Sequence, residues 1–239
     1  MNTLRCRPTI ATLVITAAAA AAVAAPAAAT AASVERPTFS AQLLFPLRAR
    51  EHPVASARSA RYLTQFTPLT GQPALLPIVG QRTVHHEIWL RVMLPGRPNN
   101  RTGWIPAAAA RKVPLKWRLR IDISNRALAV FRNGNLQRRV RVVVGKPSTP
   151  TPRGRFFVTE RVRLTQAWGL HGWALALSAY SDVLRRFDGG PGQVAIHSRG
   201  SLFDPLGSAA SHGCVRVTAA TATWLAKHVP PGAFVEIVR

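Results

Sequence analysis

The sequence predicts a mainly β protein: a small β unit, then a larger β-rich unit closed by one C-terminal helix. Three observations carry that reading. Apolar and polar residues alternate with a period of two in runs such as Ile88–Leu94 and Leu119–Ile123. Turn residues interrupt these runs at short intervals, and Asn133-Gly134 is the strongest hairpin signal among them. Only Ala219–Val229 has convincing helical composition, with Thr218 as N-cap and Pro230-Pro231-Gly232 as terminator. A chain of 239 residues, 47% hydrophobic, has room for a real core and for one or two domains.

Residues 1–32 read as a signal peptide. Arg5 and Arg7 precede an apolar run from Ile10 to Val23, and Ala-x-Ala patterns follow around Ala22–Ala29, broken by Pro26. The rival is an uncleaved anchor, because the alanine-rich stretch approaches spanning length. Cys6 lies before the apolar run, where a lipid anchor would not form. The expected location is outside the cytoplasm, in the periplasm or cell wall, with membrane contact through this segment alone.

Residues 33–115 form the first unit. Apolar clusters at Ala41–Phe45, Ala74–Val79 and Ile88–Leu94 are separated by Gly71, Pro73 and Gly80. A loop at Pro95–Asn100 joins the strand Ile88–Leu94 to one starting at Thr102-Gly103-Trp104-Ile105. The run Trp-Leu-Arg-Val…Thr-Gly-Trp-Ile resembles bacterial SH3-like modules. Trp89 and Trp104 are read as core aromatics before a ligand shelf. His85-His86, taken as strand residues, point to opposite faces and cannot share a metal. Asn100-Arg101-Thr102 spells a glycosylation acceptor, a pattern common by chance.

Residues 116–239 form the second unit. Leu119–Ile123 and Ala127–Phe131 are strands, and Asn133-Gly134 turns the latter into Leu136–Val144. Gly145–Phe156 carries three prolines, which favour a stiff extended loop and a plausible rim for a peptide groove. Ala174–Tyr180 is a further strand, Val194–Ile196 delivers His197, and Ala233–Val238 closes the chain. Ala222, Leu225, Ala226 and Val229 make one buried helix face.

The formal charge is +23, mostly arginine, and about +21 without the leader. That balance favours polyanions. For an exported chain, anionic cell-wall polymers fit better than nucleic acid, for which no motif is present. Arginine-rich coding bias would give the same charge.

The chemistry concentrates in Ser211-His212-Gly213-Cys214-Val215-Arg216. Cys214 and Cys6 are the two cysteines, so the mature chain carries one thiol and no internal disulfide. A thiol with an unperturbed pKa of about 8.5 needs a base to become a nucleophile. His197 and His212 are the candidates. His212 lies two residues away, on the same side of an extended segment. His197 ends a separate strand, and a base across a cleft also serves the leaving group. Spacing favours His197 without deciding. Gly213 suggests an unusual backbone angle beside an oxyanion hole, and Arg216 a partner for a carboxylate.

The segment from His197 to Ser-His-Gly-Cys-Val-Arg resembles the signature of the L,D-transpeptidases, which cross-link bacterial peptidoglycan. The likeness reaches back through Ile121–Asn125, Asn133-Gly134 and Gly145–Phe156, about 120 residues in all. The resemblance implies a β-rich catalytic fold. It implies Cys214 as nucleophile, His197 as base and the Ser198 carbonyl as its orienting group. His212, Gly213 and Cys214 would line the oxyanion hole, and Arg216 and Ser211 would serve substrate binding. The implied partners are peptidoglycan stem peptides, with no metal or organic cofactor. Many members carry an acid three residues after the N-cap of the following helix. Here Thr221 stands there, and a threonine cannot supply the carboxylate half of a capping box.

Overall fold

Strands joined by turns and loops build most of the architecture, with two-residue turns at β4–β5 and β9–β10. The computed structural model describes residues 37–165, 172–187, 189–200 and 202–239. The leader expected over residues 1–32 lies outside them. The first half contains β1 (Phe39–Leu43), β2 (Leu47–Arg50), β3 (Ser59–Leu63), β4 (Leu75–Val84), β5 (Glu87–Met93), β6 (Thr102–Pro106) and β7 (Ala110–Pro114). They make one sheet in the order β3-β2-β6-β5-β4-β1-β7.

The second half contains β8 (Trp117–Asp122), β9 (Ala127–Arg132), β10 (Asn135–Arg141), β11 (Val144–Gly145), β12 (Gly154–Leu164) and β13 (Gly172–Tyr180). It continues with β14 (Gln193–Ser198), β15 (Ala209–Ser211), β16 (Val215–Val217), α1 (Ala219–His228) and β17 (Phe234–Val238). Eight of these strands form a sheet in the order β10-β9-β8-β17-β12-β13-β14-β16, and β11 pairs with β15. The mainly β class with one helix is thus observed.

Asn133 and Gly134 both have positive φ, 49° and 84°, as a hairpin turn of that type requires. The same geometry recurs where the sequence reading expected strand. His85 (φ 48°) and His86 (φ 65°) are the two turn residues between β4 and β5. Neither is Gly, Asn or Asp, so the turn carried no compositional signal. Trp89 is buried, as expected of a core aromatic, while Trp104 is half-buried. Asn100 is engaged by its fold: its Oδ1 accepts from the Arg155 backbone N–H at 2.7 Å.

Two apolar clusters form the core. Residues of β8, β9, β11, β12, β13, β14, β16, β17 and α1 contribute to one of them. The other gathers Leu43, Leu76, Leu90, Val92 and Ile105 of the first sheet, together with Phe157 and Phe234 of the second. Strand alternation explains that sharing. On β12, Phe156 faces one cluster and Phe157 the other; on β17, Val235 and Phe234 divide the same way.

Helix α1 buries Ala222, Leu225 and Ala226, three of the four residues expected on its inner face. Val229, its C-cap, is buried as well. Thr218 caps the helix, its Oγ1 accepting from the Thr221 N–H at 3.1 Å. Thr221 contributes a hydroxyl in place of the missing carboxylate, accepting from Thr218 Oγ1 at 2.9 Å. Among the described residues no helix is long and apolar enough to cross a membrane.

Candidate active site

The site sits on the edge of the second sheet, where β14 and β16 run parallel with Ile196 opposite Val215 and His197 opposite Arg216. The period of two decides which side chains face where. Val194, Ile196, Val215 and Val217 are buried in the core cluster that includes the inner face of α1. His197 and Arg216 therefore point to the other side, and Cys214, two residues before Arg216, joins them. Cys214, His197 and Arg216 line one cavity of about 310 Å³, with Leu184, Phe187 and Leu202 among its walls.

His197 is buried and its Nδ1 lies 2.7 Å from the Ser198 carbonyl oxygen. A carbonyl only accepts, so Nδ1 carries the proton and Nε2 keeps its lone pair. Burial is the main cause that lowers the His197 pKa to about 4. The Ser198 carbonyl opposes it, and the Arg216 guanidinium lowers it further. Burial also pushes the Cys214 thiol upward, against smaller lowering effects from the Ala195 backbone N–H and Arg216. Cys214 as a residue is only half-buried, but the shift follows the sulfur, which packs against β14. The resting pair is therefore a neutral thiol and a neutral imidazole.

The turn that presents Cys214 is held from below. Gly213 has φ +114°, and a Cβ there would meet nothing closer than the Pro150 oxygen at 3.6 Å. Backbone angle, not space, thus requires glycine. The Gly213 N–H donates to Ser211 Oγ at 3.1 Å, and that hydroxyl donates to the Cys214 carbonyl at 2.6 Å. Ser211 is fully buried and its hydroxyl is used within the turn, so it supports the turn rather than facing the cavity.

The proline-rich segment expected as a groove rim lies beneath this turn. Thr151 Oγ1 donates to the Gly213 carbonyl at 3.0 Å and accepts from the Gly145 N–H at 2.9 Å. Thr149 Oγ1 and the Lys146 N–H both donate to the Ser211 carbonyl, at 3.2 and 2.9 Å. In a planar trans peptide the carbonyl and the next N–H point opposite ways. Fixing the Ser211 and Gly213 carbonyls from below therefore aims the His212 and Cys214 N–H groups upward. A Cβ on Gly145 would sit 2.4 Å from the Thr149 oxygen, so the brace closes only over glycine.

His212 is exposed and its ring stacks on Phe187, centroids 5.1 Å apart. The extended run that would have put it beside the thiol is broken at Gly213. Arg216 pairs with the Asp204 carboxylate, while its Nε, though buried, has no partner among the described residues. The cavity wall is itself clamped by the first half of the chain. Arg97 donates to the carbonyls of Ser181, Leu184 and Pro191, and Asn99 bonds both backbone groups of Tyr180. Among the described residues no cluster of three or more His, Cys, Asp or Glu could ligate a metal.

Residues 116–237 match the family model for the YkuD L,D-transpeptidase catalytic domain. The chain belongs to this family. It is an L,D-transpeptidase, and solved structures of similar fold carry the same description. An L,D-transpeptidase from Mycobacterium smegmatis is 16% identical, with 69% of this chain and 99% of that chain covered and a TM-score of 0.41. One from Mycobacterium tuberculosis H37Rv is 16% identical, covering 66% and 92%, with a TM-score of 0.45. L,D-transpeptidase 3 from Mycobacterium tuberculosis, with a faropenem-derived adduct, is 15% identical, covering 66% and 93%, with a TM-score of 0.45. No curated protein matches the chain.

Sequence reasoning did not find Thr149, Thr151, Asp204, Phe187 or Arg97 in this transpeptidase. The first two left a trace, since hydroxyls alternate with prolines at Thr149-Pro150-Thr151-Pro152. Thr151→Val removes both of its bonds, and a buried group left unpaired costs about 1–3 kcal/mol. We expect stability to fall by about that much. The acyl-transfer rate should drop roughly 10–100-fold with donor KM little changed, and Thr151→Ser should restore most of it. Steady-state kinetics on the three proteins checks this.

Proposed function

We propose that this chain is an exported cysteine acyltransferase that forms 3→3 cross-links between peptidoglycan stem peptides. Cys214 Sγ attacks the carbonyl of the third residue, a diamino acid, in a tetrapeptide stem. His197 Nε2 takes the thiol proton as the S–C bond forms. The tetrahedral oxyanion meets N–H groups of the segment His212–Cys214; those of His212 and Cys214 are aimed there, while that of Gly213 is held by Ser211. The C–N bond then breaks, His197 returns the proton to the departing amine, and D-alanine leaves. The amine of a second stem attacks the thioester, gives its proton to His197, and displaces the thiolate.

The observation that carries this reading is one thiol in the turn that enters β16 and, on the adjacent parallel strand β14, one imidazole whose tautomer is fixed by the Ser198 carbonyl. Both open to one cavity in a chain that matches the transpeptidase family. Arg216 shapes the acyl pocket, and its unpaired Nε is available to an acyl oxygen or carboxylate.

Three further assignments belong to the same reading. Residues 1–32 act as the export signal, and residues 33–115 are an SH3-like domain ahead of the catalytic domain at 116–239. The charge of +23 supports weak, salt-sensitive association with anionic wall polymers.

Incubation with a tetrapeptide stem tests the chemistry. Intact-mass spectrometry should find the protein heavier by an acyl-tripeptide, with one D-alanine released per adduct. With a second stem present the product should be a cross-linked dimer, and with water alone a tripeptide. A protein that forms no adduct and releases no D-alanine would overturn the proposal.

A further inference from the structure

A second cleft, about 390 Å³, opens beside the catalytic cavity between the first sheet and β12–β13. Gln193 lines both spaces, and it is held there by its Nε2, which donates to the Leu177 carbonyl at 2.8 Å. Tyr62 and Phe66 form a rim that leaves about half of each side chain in solvent. Such apolar surface around a concave space marks a place where something binds.

The charges inside the cleft narrow what that is. Glu160 lines it and is 2% exposed. Its Oε2 accepts from the Thr70 N–H at 3.1 Å and from Thr70 Oγ1 at 2.9 Å. Its Oε1 is bonded to no group of the described residues in the same way. Arg61 lines the same cleft, with its guanidinium packed over Gly96. Among the described residues no ion pair joins Arg61 to Glu160 or to any other carboxylate. Tyr180, also in the lining, has a raised pKa from burial, while Arg61, Arg97 and Glu160 all act on it through space. An apolar space that keeps a carboxylate and a guanidinium apart is suited to a ligand carrying both charges in the opposite sense. Glu160 keeps one oxygen on Thr70 and Arg61 is half-buried, so a ligand of that polarity adds a charged partner at each end, where charge-assisted hydrogen bonds are stronger than neutral ones.

We propose that this cleft binds the zwitterionic end of a peptide, with an ammonium group on Glu160 and a carboxylate on Arg61. A diamino acid side chain that bears both groups has that chemistry. In a cross-linking enzyme it would belong to a second stem held beside the thioester, whose ammonium must leave Glu160 and lose a proton before its nitrogen can attack, a step that rests on the proposed function. The binding itself does not rest on it.

The test uses three small probes and the full chain. Nα-acetyl-lysine carries the ammonium and the carboxylate. Nα-acetyl-lysine amide lacks the carboxylate, and Nα,Nε-diacetyl-lysine lacks the ammonium. Titration calorimetry should show the first binding at least about tenfold more tightly than either analogue. Glu160→Gln keeps an oxygen for Thr70 but loses the charge, so it should erase the preference over the diacetyl form alone. Arg61→Gln should erase the preference over the amide alone. Cys214→Ala should leave all three affinities unchanged, and both cleft variants should release D-alanine from a donor stem at the normal rate. Equal affinity for the three probes would overturn the proposal, leaving Glu160 as a clasp for the Thr70 turn. So would a preference that survives both cleft variants, or one lost in Cys214→Ala, which would place the ligand in the catalytic cavity. Because no acyl transfer is measured in the titrations, their failure leaves the transpeptidase reading untouched, and loss of D-alanine release leaves the titrations valid.

Discussion

Replacing Cys214 with alanine should lower D-alanine release from a tetrapeptide stem by about 10⁴-fold or more, to the background of the assay. Nothing else described in the cavity can take over as nucleophile. Ser211 is fully buried with its hydroxyl bonded to the Cys214 carbonyl, and Ser181 is buried too. Cys214→Ser should be nearly as inactive. A serine hydroxyl is far less acidic than a thiol, and the His197 imidazole, with its pKa lowered to about 4, is too weak a base to compensate. Both variants should fold, since the turn is held by backbone bonds and by Thr149 and Thr151, not by the thiol. The same electrostatics set how the free enzyme meets an alkylating agent. Burial raises the thiol pKa, so iodoacetamide should react slowly at neutral pH and faster as pH rises through that raised value. D-alanine release quantified alongside intact mass checks the substitution; release that persists in Cys214→Ala would remove the thiol from the mechanism.

The local parts of this fold were legible because they depend on neighbours in sequence. Alternation gave β5 and β8, Asn133-Gly134 gave the β9–β10 hairpin, and Thr218 with Pro230 bounded the helix. The parts that failed to show depend on packing between distant residues. His85-His86 turns a hairpin with no turn residue, because the flanking strands β4 and β5 pair in register from Val84 and Glu87 outward and impose the geometry. Phe157 and Phe234 lie on strands of the second sheet, yet they fill the cluster of the first. Composition cannot say which face of a twice-covered strand points where.

The candidate site divides in the same way. Cys214 and His197 stood out by residue type and motif. The Pro150-Pro152 loop stood out as stiff, but its role is set by two buried hydroxyls that meet carbonyls 62 residues further on. The Arg97–Asn99 clamp on residues 180–191 crosses more than 80 positions and has no local signature. These long-range bonds give the Cys214 turn and the cavity wall a fixed shape before any ligand arrives, which is what preorganised acyl-transfer chemistry requires.

His197→Ala is the second large effect. Losing the proposed general base, which would also serve the leaving group, should cost about 10²–10⁴-fold in kcat/KM. The intact enzyme should show its own signature in the pH profile. Because burial lowers the His197 pKa to about 4, the base is already unprotonated at pH 6, and the acid limb of kcat/KM should fall near pH 4 instead of near 6.5. A limb near 6.5 would mean that the buried His197 imidazole is not the group in control. Stability follows the same group with a defined sign. Between pH 6.5 and 4 the unfolded chain binds a proton at this position that the folded chain does not. The contribution is therefore fully present above about 6.5 and is lost as pH falls through that window, by about 3 kcal/mol at its lower end. His197→Ala has no such proton to bind, so its unfolding free energy should vary less with pH across the window than that of the parent. Urea unfolding at pH 7 and pH 4.5 on both proteins measures the difference. An equal pH slope in the two would mean that His197 is not held neutral by the fold, and the low acid limb would lose its cause.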